Sequence, residues 1–212
     1  LPRGSRSTSH RQMTRLSDGR RCGIYDVLGR RLRVIDDFAT AVRLDMLAHD
    51  ELFDDGQKTQ IALAMVYPEP EKVAEAYGDD FPEAFRETLR QAFGMGEGDG
   101  GKRVIDYGED ASRILATMRA AYGLGREYEQ MPYREVMELL AYSPHETPMG
   151  QAIYYRTARQ PKRDRYNGEY VDEWMKRRDH YRLGGKDEDC EGDANDAATA
   201  AFEAMRRRAD NG

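Results

Sequence analysis

The chain has 212 residues, of which 34% are charged, which leaves enough apolar sequence for a helical domain with polar ends. Its net charge is −6 at pH 7, so the chain as a whole does not attract nucleic acid or an anionic membrane. The longest apolar run, residues 61–67, is far shorter than a bilayer span, which predicts a protein without a membrane partner.

The two cysteines and the other chemically reactive residues form no recognisable catalytic or metal-binding pattern. Cys22 and Cys190 lie far apart in polar sequence, and neither belongs to a Cys-x-x-Cys or Cys/His motif. This spacing predicts neither zinc nor a redox pair and fits a reducing, intracellular compartment. No nucleophile motif such as Gly-x-Ser-x-Gly occurs. We therefore expect no metal, no cofactor, no catalytic residue and no enzymatic activity.

The N-terminal sequence changes from polar to β-prone. Residues 1–20 contain no extended apolar periodicity and resemble a disordered leader or a remnant of an expression vector. Two short β-prone runs then flank a glycine, with Ile24, Leu32 and Val34 at alternating positions. This pattern predicts a hairpin over residues 22–35, which must pack against helices because an isolated hairpin is only marginally stable in water.

The next segment predicts two helices with apolar faces. The first begins at Asp36 or Asp37, either of which can cap a helix. Its predicted buried face contains Phe38, Ala41, Val42 and Leu47. The second follows Asp54 or Asp55 and is stopped by Pro68. Its predicted buried residues are Ile61, Met65 and Val66.

A third helix is followed by a glycine-rich segment. Pro82 suits a first helical turn, and a glycine follows the last apolar position of this helix. Residues 94–102 resemble a phosphate-binding loop only in their glycine content, since Glu97 and Asp99 would repel phosphate. Lys102 also lacks the Ser or Thr that follows the lysine of such a loop. We interpret the segment as a linker.

The second half of the chain predicts four further helices. Gly123 terminates the first of these, and Thr147 and Pro148 are suited to begin the third. The predicted buried residues of the first three are Ile114, Leu115, Met118, Tyr122, Val136, Leu139, Leu140, Met149, Ala152 and Ile153. The last helix is predicted to close the core with Tyr170, Val171, Trp174 and Met175.

His145 and Glu146 are the residues best suited to acid–base or metal chemistry. Histidine is the usual general base near neutral pH, so a hydrolase centred on this pair is one interpretation. A second histidine at the spacing of a His-Glu-x-x-His motif is absent, however, and adjacent residues at a helix start do not converge on one point. A solvated helix entrance, with Glu146 near the positive end of the dipole, is the favoured interpretation.

Residues 156–182 form a locally basic segment with interleaved aromatic residues. Nine Lys or Arg face five Asp or Glu, a net charge of 9 − 5 = +4. Such a segment can form a solvated helix face, bind a protein or stack against bases, and the negative net charge of the chain favours the first two over nucleic acid. Residues 184–212 carry four basic and eight acidic residues, a net of 4 − 8 = −4. They predict an acidic linker and a short tail helix that could fold back on the basic segment.

The order of these pieces resembles a bacteriophage family known as gene product fifteen. The N-terminal part of the resemblance lies in GRRLRVIDDFATAVRLDMLAHDELFDDGQKTQIALAMVYPEP. It is carried by Gly29, Asp37 with Phe38, the acidic break at 50–55, and Tyr67 with Pro68. It continues through RVIDYGEDASRILATMRAAYGL and YREVMELLAYSPHETPMGQAIYYRTAR, where Arg156 and Thr157 match an Arg-Thr pair of the family. The resemblance covers roughly residues 22–183.

This resemblance implies a mainly α fold: a helical domain over residues 21–183 with a small N-terminal β-hairpin. The sequence after residue 183 departs from the family, and its own composition predicts a flexible acidic C-terminal tail. The resemblance also implies a non-enzymatic role in phage tail morphogenesis in the host bacterial cytoplasm. Proteins of this kind look like tail assembly chaperones, which coat the tape-measure protein and are displaced as tail-tube subunits polymerise. The implied partners are the tape-measure and tail-tube proteins, together with further copies of the chain.

The basic segment is the predicted partner-binding surface. Its candidate residues are Arg156, Thr157, Arg159, Tyr170, Trp174 and Arg177. Charge reversal at Arg156 and Arg159 is expected to weaken partner capture without unfolding the protein. The alternative function is that of a nucleic-acid-binding phage accessory protein that uses residues 156–182.

Overall fold

The computed structural model describes residues 14–15, 21–95 and 103–184 and confirms the predicted mainly α fold with a small N-terminal hairpin. The strands are β1 (Thr14–Arg15), β2 (Arg21–Val27) and β3 (Arg30–Val34). The helices are α1 (Phe38–His49), α2 (Asp55–Val66), α3 (Pro70–Tyr77), α4 (Phe81–Phe93), α5 (Ala111–Tyr122), α6 (Tyr133–Ala141), α7 (Pro148–Thr157) and α8 (Gly168–Tyr181). Short 3-10 helices occupy Gly78–Asp80 and Arg126–Gln130.

Several predicted segments lie wholly or partly outside the described residues. Of the predicted leader, only Thr14–Arg15 is described, as strand β1. The glycine-rich linker is described only as far as Met95 and again from Arg103. The predicted acidic tail, including Cys190, lies outside the described residues from position 185 onward.

The described residues divide into two compact units. The first contains residues 14–15, 21–95 and 129–134, and the second contains residues 103–128 and 135–184. The division falls within α6, whose first two residues belong to the first unit.

The hairpin of the first unit forms as its sequence predicts. Strands β2 and β3 pair antiparallel from Gly23 opposite Val34 to Val27 opposite Arg30. The connecting residues Leu28 and Gly29 both have positive φ, 48° and 78°, as the tight turns of two-residue hairpins require. Strand β1 adds to the other edge of β2.

The N-terminal caps of α1 and α2 explain why these helices begin where they do. The Asp37 carboxylate accepts a hydrogen bond from Thr40 N at 2.7 Å, so Asp37 is the cap of α1. Asp54 and Gln57 form a reciprocal capping box at the start of α2, with bonds of 2.8 and 3.1 Å. Asp36, the other candidate cap of α1, is also buried but accepts a hydrogen bond from the Tyr25 hydroxyl at 2.6 Å.

The core of the first unit joins the hairpin to the first four helices. Its buried members are Val27, Leu32, Val34, Ala41, Leu44, Val66, Tyr67, Tyr77, Ala84, Ala92 and Phe93. The predicted core residues Val42 and Ile61 are only half-buried, and Met65 packs at the edge of the core. The sequence pattern did not identify α3, which supplies Tyr77; the Tyr77 hydroxyl donates to Val27 O at 2.7 Å.

The second unit is built from α5, α7, α8 and most of α6. Its most buried apolar residues are Ile114, Met118, Val136, Leu140, Met149, Ala152, Val171 and Trp174. Met149 N donates to the Thr117 hydroxyl at 2.9 Å, which joins α7 to α5. The prediction that Tyr170 and Met175 close the core is wrong, because these side chains are 58% and 41% exposed. They lie on the outer side of α8, and Val171 and Trp174 face inward.

Candidate functional site

Helix α7 carries the central residue of the candidate site, and its sequence explains both where the helix begins and which face is buried. The Thr147 hydroxyl accepts a hydrogen bond from Gly150 N at 3.1 Å, and Pro148 occupies the first turn, as predicted. Met149, Ala152 and Arg156 are all buried, at a spacing of three and four residues. An arginine therefore occupies a position on the helix face that otherwise carries core residues.

Arg156 forms the centre of a buried polar cluster that we call the Arg156 clamp. Its guanidinium donates to both carboxylate oxygens of Asp110, with distances of 2.6 and 3.0 Å. It also donates to Val104 O at 2.8 Å and to Tyr181 O at 2.6 Å. The clamp joins the segment before α5, the start of α5 and the end of α8 within the second unit.

The charge of Asp110 is stabilised by its neighbours despite its burial. The side chain has no exposed surface, and this burial by itself opposes ionisation. Hydrogen bonds from Arg156, from Arg113 at 2.7 Å and from Asp106 N at 3.1 Å act in the opposite direction. Together they hold the pKa of Asp110 below its usual range, so the clamp is an ion pair at neutral pH.

The structure divides the six predicted partner-binding residues into an interior and an exterior group. Arg156 and Trp174 are 8% and 3% exposed and lie inside the second unit. Thr157 is half-buried, and its hydroxyl donates to Ile153 O at 2.8 Å. The exposed members are Arg159, Tyr170 and Arg177. Their role in partner binding remains a prediction.

Exposed aromatic and basic side chains continue along the loop before α8. The Arg165 guanidinium lies 4.6 Å from the centre of the Tyr166 ring, which is 83% exposed. Arg163 and Asp172 form a two-pronged ion pair, with distances of 2.7 and 3.1 Å, that fixes the loop against α8. Part of the positive charge in this segment is therefore neutralised internally.

A groove of about 300 Å³ lies beside α8 in the second unit, and we call it the α7–α8 groove. It is lined by Gln151, Glu173, Lys176, Arg177, His180 and Tyr181. The Tyr181 hydroxyl donates to Gln151 Oε1 at 2.7 Å, and the Tyr181 ring stacks on Tyr155 with the two ring centroids 5.5 Å apart. Arg177 donates to Glu173 at 2.5 Å across one turn of α8.

His145 and Glu146 lie at the exposed entrance of α7, as the favoured interpretation predicts. The His145 ring packs edge-on against Tyr154, with the ring centroids 4.7 Å apart. Within residues 14–15, 21–95 and 103–184, no group of three or more His, Cys, Asp or Glu could hold a metal ion. The same part of the chain contains no helix long and apolar enough to cross a membrane.

Sequence reasoning missed Asp110, although a signal for a buried ion pair was present. Arg156 follows Ala152 and Ile153 at the spacing of a core stripe, where an arginine is rarely placed without a partner. Asp110 lies directly before the first residue of α5. The sequence offered several carboxylates as possible partners, and only the fold selects this one.

Comparison with known proteins assigns the family. The family described as Bacteriophage Gp15 protein matches residues 21–183, close to the range expected from the sequence. No curated protein and no solved structure matches the chain significantly. The matched range includes the hairpin, all eight described helices and the Arg156 clamp. The chain therefore belongs to the bacteriophage Gp15 protein family.

Proposed function

We propose that this protein is a tail assembly chaperone that binds the tape-measure protein in the host bacterial cytoplasm. Tail-tube subunits displace it from the tape-measure protein as they polymerise. The observation that carries the proposal is membership of a bacteriophage protein family across 21–183, which supports a structural or morphogenetic role. The finer assignment is consistent with a helical unit that exposes aromatic and basic side chains on one segment.

The proposed contact surface contains the exposed residues Arg159, Tyr170, Met175 and Arg177. Tyr170 and Met175 present apolar area to solvent, being 58% and 41% exposed. Tyrosine, methionine and arginine are enriched at protein interfaces because they combine large contact area with hydrogen bonding or charge. A helical partner with acidic side chains beside an apolar stripe would suit this surface.

Arg156 and Trp174 have a different role in this proposal. Both are buried, so they support the surface from beneath and do not touch the partner. Trp174 packs against Tyr155 with the ring centroids 5.9 Å apart, and Arg156 bonds to the end of α8 through Tyr181 O. A substitution at Arg156 is therefore expected to lower the stability of the second unit, and to reduce capture of the tape-measure protein only through that loss of stability.

The test is capture of phage proteins by the full-length chain from a lysate of phage-producing cells. The variant Tyr170→Ser/Arg177→Glu should retain the helical circular dichroism spectrum and lose most of the captured tape-measure protein. The control is Arg31→Glu, in which the charge of an exposed arginine of β3 in the first unit is reversed. Equal capture by the variant and the control would contradict the proposed surface.

Salt dependence separates the proposal from the nucleic-acid alternative. Binding through phosphate contacts falls steeply between about 50 and 200 mM salt, because each contact releases counterions. Capture of tape-measure protein that survives nuclease treatment and about 200 mM salt supports the chaperone assignment. Capture of nuclease-sensitive nucleic acid in its place would reject it in favour of a nucleic-acid-binding accessory protein.

A further inference from the structure

The α7–α8 groove carries an excess of positive charge along its α8 side. The charged residues between Glu173 of α8 and Arg182, which directly follows this helix, are Glu173, Lys176, Arg177, Arg178, Asp179 and Arg182, a net charge of 4 − 2 = +2. Lys176, Arg177 and His180 line the groove itself and are exposed, as is Glu173, which accepts a hydrogen bond from Arg177; the lining thus carries two cations and one carboxylate. The groove is thus suited to a ligand with several carboxylates.

A segment with this chemistry follows α8 in the same chain. Residues 187–193 have the sequence DEDCEGD, with five carboxylates and no basic residue. The described part of the chain ends at Gly184, whose N–H donates to both carboxylate oxygens of Glu109, at 3.0 and 3.2 Å. This contact holds the departure point of the segment at the end of α8.

The distance from this departure point to the groove is short. Lys176 lies five positions before Tyr181, the last residue of α8, which corresponds to about 7.5 Å at the rise of an α-helix, and three further residues lead to Gly184. An extended chain advances by about 3.3–3.6 Å per residue, so those three residues add at most about 11 Å and about six residues after Gly184 span the whole distance. The adjacent glycines at 184 and 185 permit the reversal of direction that such a path requires.

We propose that the acidic segment 187–193 binds in the α7–α8 groove of its own chain, with its carboxylates on Lys176 and Arg177. The segment covers Arg177, which belongs to the proposed partner-binding surface. It therefore competes with an acidic partner for that surface. This competition rests on the proposed function, and the docking itself does not.

The chain provides its own probes for a direct test. Trp174 on α8 is the single tryptophan, and Cys190 lies inside the acidic segment. The other cysteine, Cys22, is 1% exposed, so labelling of the folded chain is directed to Cys190. Energy transfer from Trp174 to a dansyl group on Cys190 measures how close the segment lies to α8.

The expected result is strong transfer at low salt that decreases at about 1 M NaCl, where the Debye length falls to about 3 Å. The variant Lys176→Gln/Arg177→Gln should reduce the low-salt transfer to its high-salt value. The matched control Lys162→Gln/Arg165→Gln removes two exposed charges of the same unit outside the groove and should keep the transfer. Circular dichroism confirms that each variant is folded.

Two outcomes would overturn the proposal. Equal transfer in the groove variant and the control would show that Lys176 and Arg177 do not hold the segment. Transfer that decreases on dilution of the protein would show that the segment binds a second copy and not its own chain. Neither outcome bears on tape-measure capture, so this test and that of the proposed function fail independently.

Discussion

The two units stabilise their buried polar groups by different means. In the first unit the donors are neutral: the Tyr67 hydroxyl donates to Thr88 Oγ1 at 2.7 Å, the Tyr77 hydroxyl donates to Val27 O, and the Tyr25 hydroxyl donates to the buried carboxylate of Asp36. In the second unit, Arg156 and Asp110 are an ion pair with side chains 5% and 0% exposed. A neutral hydrogen bond contributes modestly and is cheap to remove, whereas removal of one member of a buried ion pair leaves an uncompensated charge.

The largest expected effect is loss of the Arg156 clamp. Arg156→Gln leaves the Asp110 carboxylate buried with fewer donors, and we expect the unfolding free energy of the second unit to fall by about 3–5 kcal/mol. Urea unfolding monitored by Trp174 fluorescence reports this unit, because Trp174 is the single tryptophan and lies in α8.

The exposed pair Arg163–Asp172 provides the control for this substitution. Its side chains are 61% and 49% exposed, so Arg163→Gln should cost no more than about 1 kcal/mol. Similar decreases in unfolding free energy for Arg156→Gln and Arg163→Gln would contradict the expected difference between the buried and the exposed ion pair. Because Arg156 is buried, we expect charge reversal at this position to destabilise the second unit, contrary to the sequence-based expectation that the protein stays folded.

Acid should weaken the second unit through the same pair. The pKa of Asp110 in the folded chain is lowered relative to an unfolded value of about 3.9, so its ionised form stabilises the fold above that pH. This contribution is lost as the pH falls through the lowered pKa. Trp174-monitored urea unfolding from about pH 6 to about pH 2 should show the decrease, and Asp110→Asn should flatten it. Asp172→Asn should keep the dependence of the unsubstituted chain; a flattened curve there would assign the effect to surface charge.

Gly150 tests how closely α7 approaches the backbone that precedes it. A Cβ at this position would lie 2.2 Å from Pro144 O, a backbone atom that cannot move aside cheaply. Alanine normally favours a helix, but here we expect Gly150→Ala to destabilise the second unit by about 1–3 kcal/mol. Thermal unfolding monitored by Trp174 measures the change. An unchanged midpoint would mean that the turn before α7 relaxes freely.

The smallest expected effect concerns the neutral bond of the first unit. Tyr67→Phe removes one hydrogen bond to Thr88, whose hydroxyl still donates to Ala84 O, and should cost about 1 kcal/mol. Burial raises the pKa of Tyr67 to about 12. The neutral hydroxyl therefore stabilises the folded unit fully below about pH 10, and this contribution is lost as the pH rises through about 12. Amide hydrogen exchange of β2 and β3 measures this unit. A loss as large as that from Arg156→Gln would contradict the contrast between the units.

Local features of the fold were predictable because short-range chemistry controls them. The glycine after α4 and Gly123 after α5 adopt the left-handed conformation that ends a helix, with φ of 68° and 66°. Thr147 and Pro148 start α7 as expected. The choice of Asp37 over Asp36 as the cap of α1 needed the structure, since both can cap a helix and only the fold places the Tyr25 hydroxyl on Asp36 and Thr40 N on Asp37.

The candidate surface was predictable only in part. The sequence identified a basic and aromatic segment, yet it assigned Arg156 to the partner-binding surface and assigned both Trp174 and Tyr170 to the core as well as to that surface. Their exposures of 8%, 3% and 58% depend on how α8 packs in the second unit. The sequence shows that a side chain is charged or aromatic. On a helix with a weak apolar pattern, such as α8, it does not show whether that side chain faces the core or the solvent.

The sequence by itself determined the helical class, the hairpin, most helix ends and the family, because these depend on residues a few positions apart or on the order of segments. Only the tertiary structure decided that Arg156 is an internal cation and that Tyr170 and Arg177 are exposed. The partner of Arg156 lies 46 residues away in Asp110. Packing determines which carboxylate loses its water beside that arginine, and this desolvation makes the pair a structural clamp.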